Sequence, residues 1–204
     1  MAMKIKFLIM LLLSLGFNLY AQSFELKSGD ILLQPLKCWG CTLIEEQENS
    51  KFSHIGIVIE MDNKLWVAEA LSQVRLVELA NFQSRTQSDK KILVRRLRSL
   101  PSSPAQFTVD LVQRYYQFHG NPYDRKFRWN NFINKREAIY CSELLYKMLK
   151  GLVAFTDLAP KPMTFDVNPE LWDRYFNGNT PRGELGISPE DFALSYDFFD
   201  VGEL

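Results

Sequence analysis

The sequence predicts an α+β fold in which an antiparallel strand meander packs against a helix with a cysteine at its mouth. Three observations predict it. Apolar, β-branched runs joined by short turn signals follow one another from Ile31 to Leu97. Leu144, Leu145, Met148, Leu149 and Leu152 recur at helical spacing directly after Cys141. The 204 residues are 47% hydrophobic and 24% charged, which suits one globular domain with a substantial core rather than a disordered or fibrous chain.

The N-terminus stands apart from that domain. Lys4 and Lys6 precede an apolar run from Phe7 to Phe17, and Leu19-Tyr-Ala21 ends in a small residue. This is the order of a secretory signal peptide, residues 1–21, leaving a single domain over 22–204. The apolar run is short for a bilayer span, so no integral membrane segment is expected after cleavage, and a retained anchor is the weaker alternative. No cysteine lies near the cleavage site to take a lipid. The expected location is exported, periplasmic or secreted, and therefore oxidising.

Gly29-Asp30 is a turn signal that leads into a short strand, Ile31 to Gln34. Pro35 to Ser50 is polar and irregular, with one helical turn around Thr42–Glu48, and it holds Cys38 and Cys41. Three cysteines in an oxidising compartment pair most simply as neighbours, Cys38 with Cys41. Cys141 is then left free, and a free thiol in an exported protein asks for a functional explanation. A zinc site needs four ligands, and the chain adds only His54 and His119, so neither metal nor other cofactor is expected.

Phe52 to Glu60 is a strand, Met61 to Lys64 its turn, and Leu65 to Leu71 the returning strand. A turn centred on Asp62-Asn63 sets Val58 opposite Val67, Gly56 opposite Glu69 and His54 opposite Leu71. Side chains alternate between faces, so His54, Gly56 and Glu69 share one face, with only a hydrogen of Gly56 between the imidazole and the carboxylate. Ser72-Gln73 turns the chain into a third strand, Val74 to Leu79. A polar connection, Ala80 to Asp89, leads to a fourth, Lys91 to Leu97. After the break at Pro101–Pro104 comes a helix from about Ser103 to His119, with Phe107, Leu111, Val112, Tyr115, Tyr116 and Phe118 forming its wide apolar side, and Gly120-Asn-Pro122 stops it.

Tyr123 to Arg136 mixes aromatic and basic residues. Stacking on nucleotide bases is disfavoured because Lys+Arg and Asp+Glu are equal at 24 each, so no nucleic-acid partner is expected. Its aromatics either pack on the core or wall a substrate site beside Cys141. Tyr123, Trp129 and Tyr140 are the candidate substrate contacts. Leu158 to Glu190, rich in Pro, Asn and Gly, is a long covering segment with an aromatic cluster at Leu171–Phe176. Ser188 caps a short helix reaching Leu194. No repeat or domain boundary interrupts residues 22–204.

A cysteine nucleophile needs a base in hydrogen-bond reach and a group that orients the base. Cys141 faces unpaired N–H groups and the positive end of a helix dipole, which favour thiolate. His54 and Glu69 supply base and orienter, giving the chain order base, orienter, nucleophile.

The blocks Gly29-Asp-Ile-Leu-Leu-Gln34, Phe52-Ser-His-Ile-Gly-Ile-Val58, Glu69-Ala70, Gly120-Asn-Pro-Tyr-Asp124, Tyr140-Cys-Ser-Glu-Leu144 and Ser188-Pro-Glu-Asp191, in that order, resemble the YiiX/YaeF family. That family is the circularly permuted papain-like group of the NlpC/P60 superfamily. The resemblance implies a permuted papain-like α+β fold and a Cys–His–polar triad mapping onto Cys141, His54 and Glu69. It also implies chemistry on amide-linked acyl groups through a thioacyl intermediate. The reaction is then hydrolysis, as an amidase or peptidase, or acyl transfer, and the substrate a peptidoglycan peptide or a lipid-like acyl amide. Two rival classes differ in kind. One is a non-catalytic peptidoglycan- or lipid-binding module on the same fold. The other, ranked last, is a thiol–disulfide enzyme using Cys38 and Cys41.

Overall fold

A computed structural model describes residues 24–204. The predicted signal peptide lies outside the described residues. The organising unit is the hairpin of β2 (His54–Met61) and β3 (Lys64–Ala70). Asp62 and Asn63 adopt positive φ, 53° and 56°, as a two-residue turn of matching twist requires. The pairing runs Met61↔Lys64, Val58↔Val67, Ile57↔Ala68, which is the register that a turn centred on Asp62-Asn63 predicts.

Around this hairpin lies a six-stranded sheet in the order β10-β5-β1-β2-β3-β4, with every neighbouring pair antiparallel. The added strands are β1 (Ile31–Gln34), β4 (Val74–Glu78), β5 (Leu93–Leu97) and β10 (Phe198–Glu203). It departs from a simple meander in two places. β1 inserts between β2 and β5, and β10 covers the outer edge of β5. The sequence reading leaves β10 unassigned for a physical reason: its register shifts between Asp200 and Gly202, which breaks the two-residue alternation.

Both faces of the sheet are covered, so β1 and most of β2 are buried on alternate residues as well as successive ones. On one face, α3 (Pro104–Phe118) and α4 (Cys141–Leu149) pack on Ile31, Leu33, Ile55, Ile57 and Ala68. On the other, α2 (Leu79–Gln83) brings Phe82 onto Leu32, Val58, Val67 and Val94. α3 starts as the sequence predicts: Ser103 Oγ accepts from Gln106 N, and Pro104 occupies the first turn. α4 starts at the cysteine itself. Ala138, three residues upstream, ends β7 (Arg136–Ala138), which pairs with β6 (Asn131–Ile133). Beyond its end, Gly151 takes φ +88°, the left-handed conformation that suits a helix stop.

The single helical turn expected after Cys38 is a full helix, α1 (Trp39–Gln47). Cys38 and Cys41 are joined by a disulfide across its first turn. The covering segment is held by a two-strand pair, β8 (Lys161–Pro162) and β9 (Leu185–Gly186), and carries α5 (Pro169–Tyr175) and α6 (Pro189–Leu194).

Candidate active site

His54 opens β2 and Glu69 lies near the end of β3, so the hairpin delivers both to one end of the sheet. His54 Nε2 and Glu69 Oε2 are 2.8 Å apart, with 2% and 0% side-chain exposure. Gly56 makes this possible in a way the sequence reading did not foresee. A Cβ at Gly56 would stand 2.5 Å from Val67 Cγ1 and 2.9 Å from Phe82 Cε2. The bare glycine therefore admits Phe82, whose ring stacks on the imidazole at 5.6 Å. Two arginines that sequence reasoning missed complete the setting. Arg75 donates to Glu69 Oε1 from Nε and Nη2 at 3.1 and 2.9 Å, and Arg85 Nη2 donates to Oε2 at 2.9 Å. Arg75 had a readable signal, because it sits directly opposite Glu69 in the β3–β4 register. Arg85 arrives from the loop after α2 and had none.

Cys141 is free, 6% exposed, and lies at the first position of α4. Cys141 is a neighbour of His54 and, with Glu69, acts on the imidazole's charge. Burial alone would lower the His54 pKa. Hydrogen bonds to Cys141 and then Glu69, with the charges on both, outweigh it and bring His54 up to about 9. For Glu69, burial again opposes ionisation, while His54 and Arg85 pull its carboxyl down to about 2. The buried pair therefore favours an imidazolium on His54 beside a carboxylate on Glu69.

The cysteine opens onto a cavity of about 400 Å³. Phe127, Met163, Phe165, Trp172 and Ile187 form much of its wall, with Glu48, Lys161 and Asp191 among the polar lining. Of the three expected substrate contacts, Tyr123 and Tyr140 line this cavity. Tyr123 is driven well above the ordinary phenol pKa by burial and by the charge on Cys141, so it stays a neutral hydroxyl donor. Tyr140 is engaged in structure: its hydroxyl accepts from Ile187 N at 3.1 Å, while Ser142 Oγ donates to Ile187 O at 2.6 Å. These two bonds clamp the covering segment to the start of α4. Trp129 is not brought to the cavity. It packs edge-on against Tyr146, with Lys147 Nζ 4.9 Å from its ring centre, on the outer side of α4.

Glu143, in the first turn of α4, is another buried carboxylate nearby. Burial raises it to about 7, against the pull of Lys147 at 2.7 Å. Its Oε2 accepts from Tyr140 N at 3.4 Å, which stiffens the helix start.

Comparison with known proteins follows the same line. Residues 25–194 match the family described as permuted papain-like amidase enzyme, YaeF/YiiX, C92 family. The uncharacterized protein YiiX of Escherichia coli strain K12 is 26% identical over 187 residues, covering 89% of this chain and 88% of that protein. A crystal structure described as metalloprotein YiiX from Escherichia coli O157:H7 superposes with a TM-score of 0.77 at 22% identity. It covers 89% of this chain and 99% of its own. The word metalloprotein belongs to that protein; among the described residues here, no group of three or more His, Cys, Asp or Glu is placed to hold a metal ion.

Proposed function

We infer that this chain, which belongs to the YaeF/YiiX family of permuted papain-like amidases, is a cysteine hydrolase that cleaves an amide-linked apolar acyl group. The observation that supports this reading is the convergence of the buried Glu69–His54 pair and the free Cys141 at a cavity with an aromatic and aliphatic wall. A cavity so lined matches an acyl chain better than the polar stem of a cell-wall peptide. The cell-wall peptide and transfer to an acceptor other than water are the alternatives the same chemistry allows.

In the proposed mechanism, the thiol proton of Cys141 rests on His54, and Glu69 fixes the imidazole's orientation. The thiolate attacks the amide carbonyl carbon, and the carbonyl oxygen takes up the negative charge. The first backbone N–H groups of α4, free of intrahelical partners, and the neutral Tyr123 hydroxyl are the donors proposed for that oxygen. His54 then gives its proton to the leaving amine, leaving a thioester on Cys141. Water attacks the thioester with His54 accepting its proton, and the acid leaves. Export of the chain is part of the same proposal, and the Cys38–Cys41 disulfide supports an oxidising compartment.

The test is turnover of an octanoyl amide by the full chain and by Cys141→Ala, together with iodoacetamide labelling of the wild type and His54→Ala at about pH 6, well below the ordinary thiol range near 8.5. The expected results are no turnover by Cys141→Ala at an unchanged unfolding midpoint, fast labelling of the wild type, and labelling slowed at least about tenfold in His54→Ala. Turnover by Cys141→Ala would overturn the mechanism. An inert Cys141 in both labelled proteins would favour the binding-module reading.

A further inference from the structure

A second concavity, of about 750 Å³, shares no lining residue with the catalytic cavity. Arg125, Lys126, Arg128 and Arg174 line it, and no Asp or Glu does. Arg128 has one acidic neighbour, Glu184, 3.3 Å from Nε, yet that nitrogen is buried and makes no hydrogen bond. Arg125, Lys126 and Arg174 make no ion pair among the described residues. Three unpaired cations on one groove, in a chain of zero net charge, form a local field for an anion.

The groove also has an aromatic wall, and the chain holds it in place. Trp39 opens α1 between the two cysteines of the Cys38–Cys41 disulfide. Its ring stacks on Tyr175 of α5 at 6.0 Å and 14°, yet the residue stays 67% exposed. A Cβ at Gly40 would come within 3.0 Å of the Tyr175 ring, so the glycine lets α1 close on α5. An indole with one face stacked and the rest open is a platform without an occupant of its own. The basic side is fixed as firmly. Asp124, fully buried, accepts from Lys126 N at 2.8 Å and Arg128 N at 2.7 Å, which shapes the turn that carries the cations. Beyond α5, Asn177 and Asn179 bring two side-chain amides to the same groove. Asn177 and Gly178 take positive φ, 51° and 78°, and Asn179 Nδ2 donates to Asn177 O at 3.2 Å, so this turn too is ordered by its own contacts.

We propose that this groove binds an acidic oligosaccharide, with a sugar ring on the Trp39 indole and the acid groups on the arginines. The proposal is independent of the hydrolase reading. Guanidinium groups present paired donors that match the oxygens of an anion, and the groove holds three of them. The C–H face of a sugar ring is apolar and flat enough to lie on an aromatic face, while its hydroxyl edge needs both donors and acceptors. Trp39 meets the first need, and the amides of Asn177 and Asn179 the second. Fixing the indole before binding spares the cost of ordering it afterwards. A small free anion would use the cations and leave the ring idle. Single-stranded nucleic acid would use cations and ring alike, but Lys+Arg and Asp+Glu balance at 24 each, and the disulfide supports an oxidising compartment. These two points select the sugar.

The experiment is calorimetric titration of the full chain with tetragalacturonate. Maltotetraose serves as the neutral sugar, tripolyphosphate as the anion without a ring, and an oligothymidylate as the nucleic acid. Tetragalacturonate is expected to bind most tightly of the four, and more weakly as salt is raised. Arg125→Gln with Arg174→Gln should weaken it at least about tenfold, from two lost cation contacts, at an unchanged unfolding midpoint. Trp39→Ala should weaken it about fivefold, and Trp39→Tyr, which keeps an aromatic face, should restore most of that loss. No binding of tetragalacturonate, binding indifferent to Trp39 or to the arginines, or tighter binding of any of the other three probes would each overturn the proposal. Loss of octanoyl amide turnover beside intact tetragalacturonate binding would sink the hydrolase reading and leave the groove standing.

Discussion

Glu69 is surrounded by three cationic groups, and this decides what the carboxylate does. Its charge is already shared with Arg75 and Arg85, so it serves less as a proton acceptor than as a rigid acceptor that fixes the imidazole. Removing the charge does more than lose one hydrogen bond. In Glu69→Gln the two guanidinium groups stand uncompensated beside His54, and like charge disfavours the imidazolium. The expected result is a His54 pKa well below its value of about 9, read by NMR titration of the ring protons. Turnover should fall on the order of 10² to 10⁴-fold, as when an orienting carboxylate is replaced in a comparable triad. A His54 titration unmoved by this change would show that Cys141 alone sets the imidazole's charge. Glu143 is the instructive contrast. It too is buried and near the cysteine, but its partner is Lys147 and its geometry braces the start of α4 rather than the histidine.

The β2–β3 hairpin carries the site, and its most exacting position is Gly56. A methyl group there meets Val67 and Phe82 below ordinary contact distance, so Gly56→Ala must push Phe82 off the imidazole or spread the strands. Overpacking of this kind costs about 1–3 kcal/mol. A lower urea midpoint together with slower Cys141 labelling is the expected pair of results. A destabilised protein with wild-type labelling would mean that Phe82 yields without disturbing His54. The same hairpin marks what was legible in the sequence. Two asparagine-type turn residues fix the register, the register fixes which side chains share a face, and His54 and Glu69 follow by parity. Legibility stops where contacts depend on loops rather than ladders. Phe82 and Arg85 reach the site through α2 and its exit, and nothing periodic announces them. Trp129 was placed beside Cys141 by proximity in sequence, yet the tight β6–β7 hairpin carries the intervening chain away and leaves the tryptophan on the outside of α4. β10 escaped notice because its bulge disrupts the alternation by which strands are read.

For the molecule as a whole, the paired site makes folding and activity depend on the same protons. Glu69 has a folded value of about 2 against an ordinary 4.5. Its contribution to stability is complete above that ordinary value and is lost as pH falls through about 2. His54 is displaced in the other direction, to about 9 from 6.5, so its contribution is complete below 6.5 and is lost as pH rises through about 9. Urea unfolding across the pH range should therefore show an alkaline limb in the wild type that His54→Ala lacks. Glu69→Gln should lose the acid limb and, because it also lowers His54, shift the alkaline limb to lower pH. Turnover should decline over the same alkaline interval, since the imidazolium that stabilises the fold is the acid that protonates the leaving amine. If stability were flat through that interval while activity fell, the proton that limits catalysis would have to lie elsewhere than on His54, and the ion pair would no longer explain both.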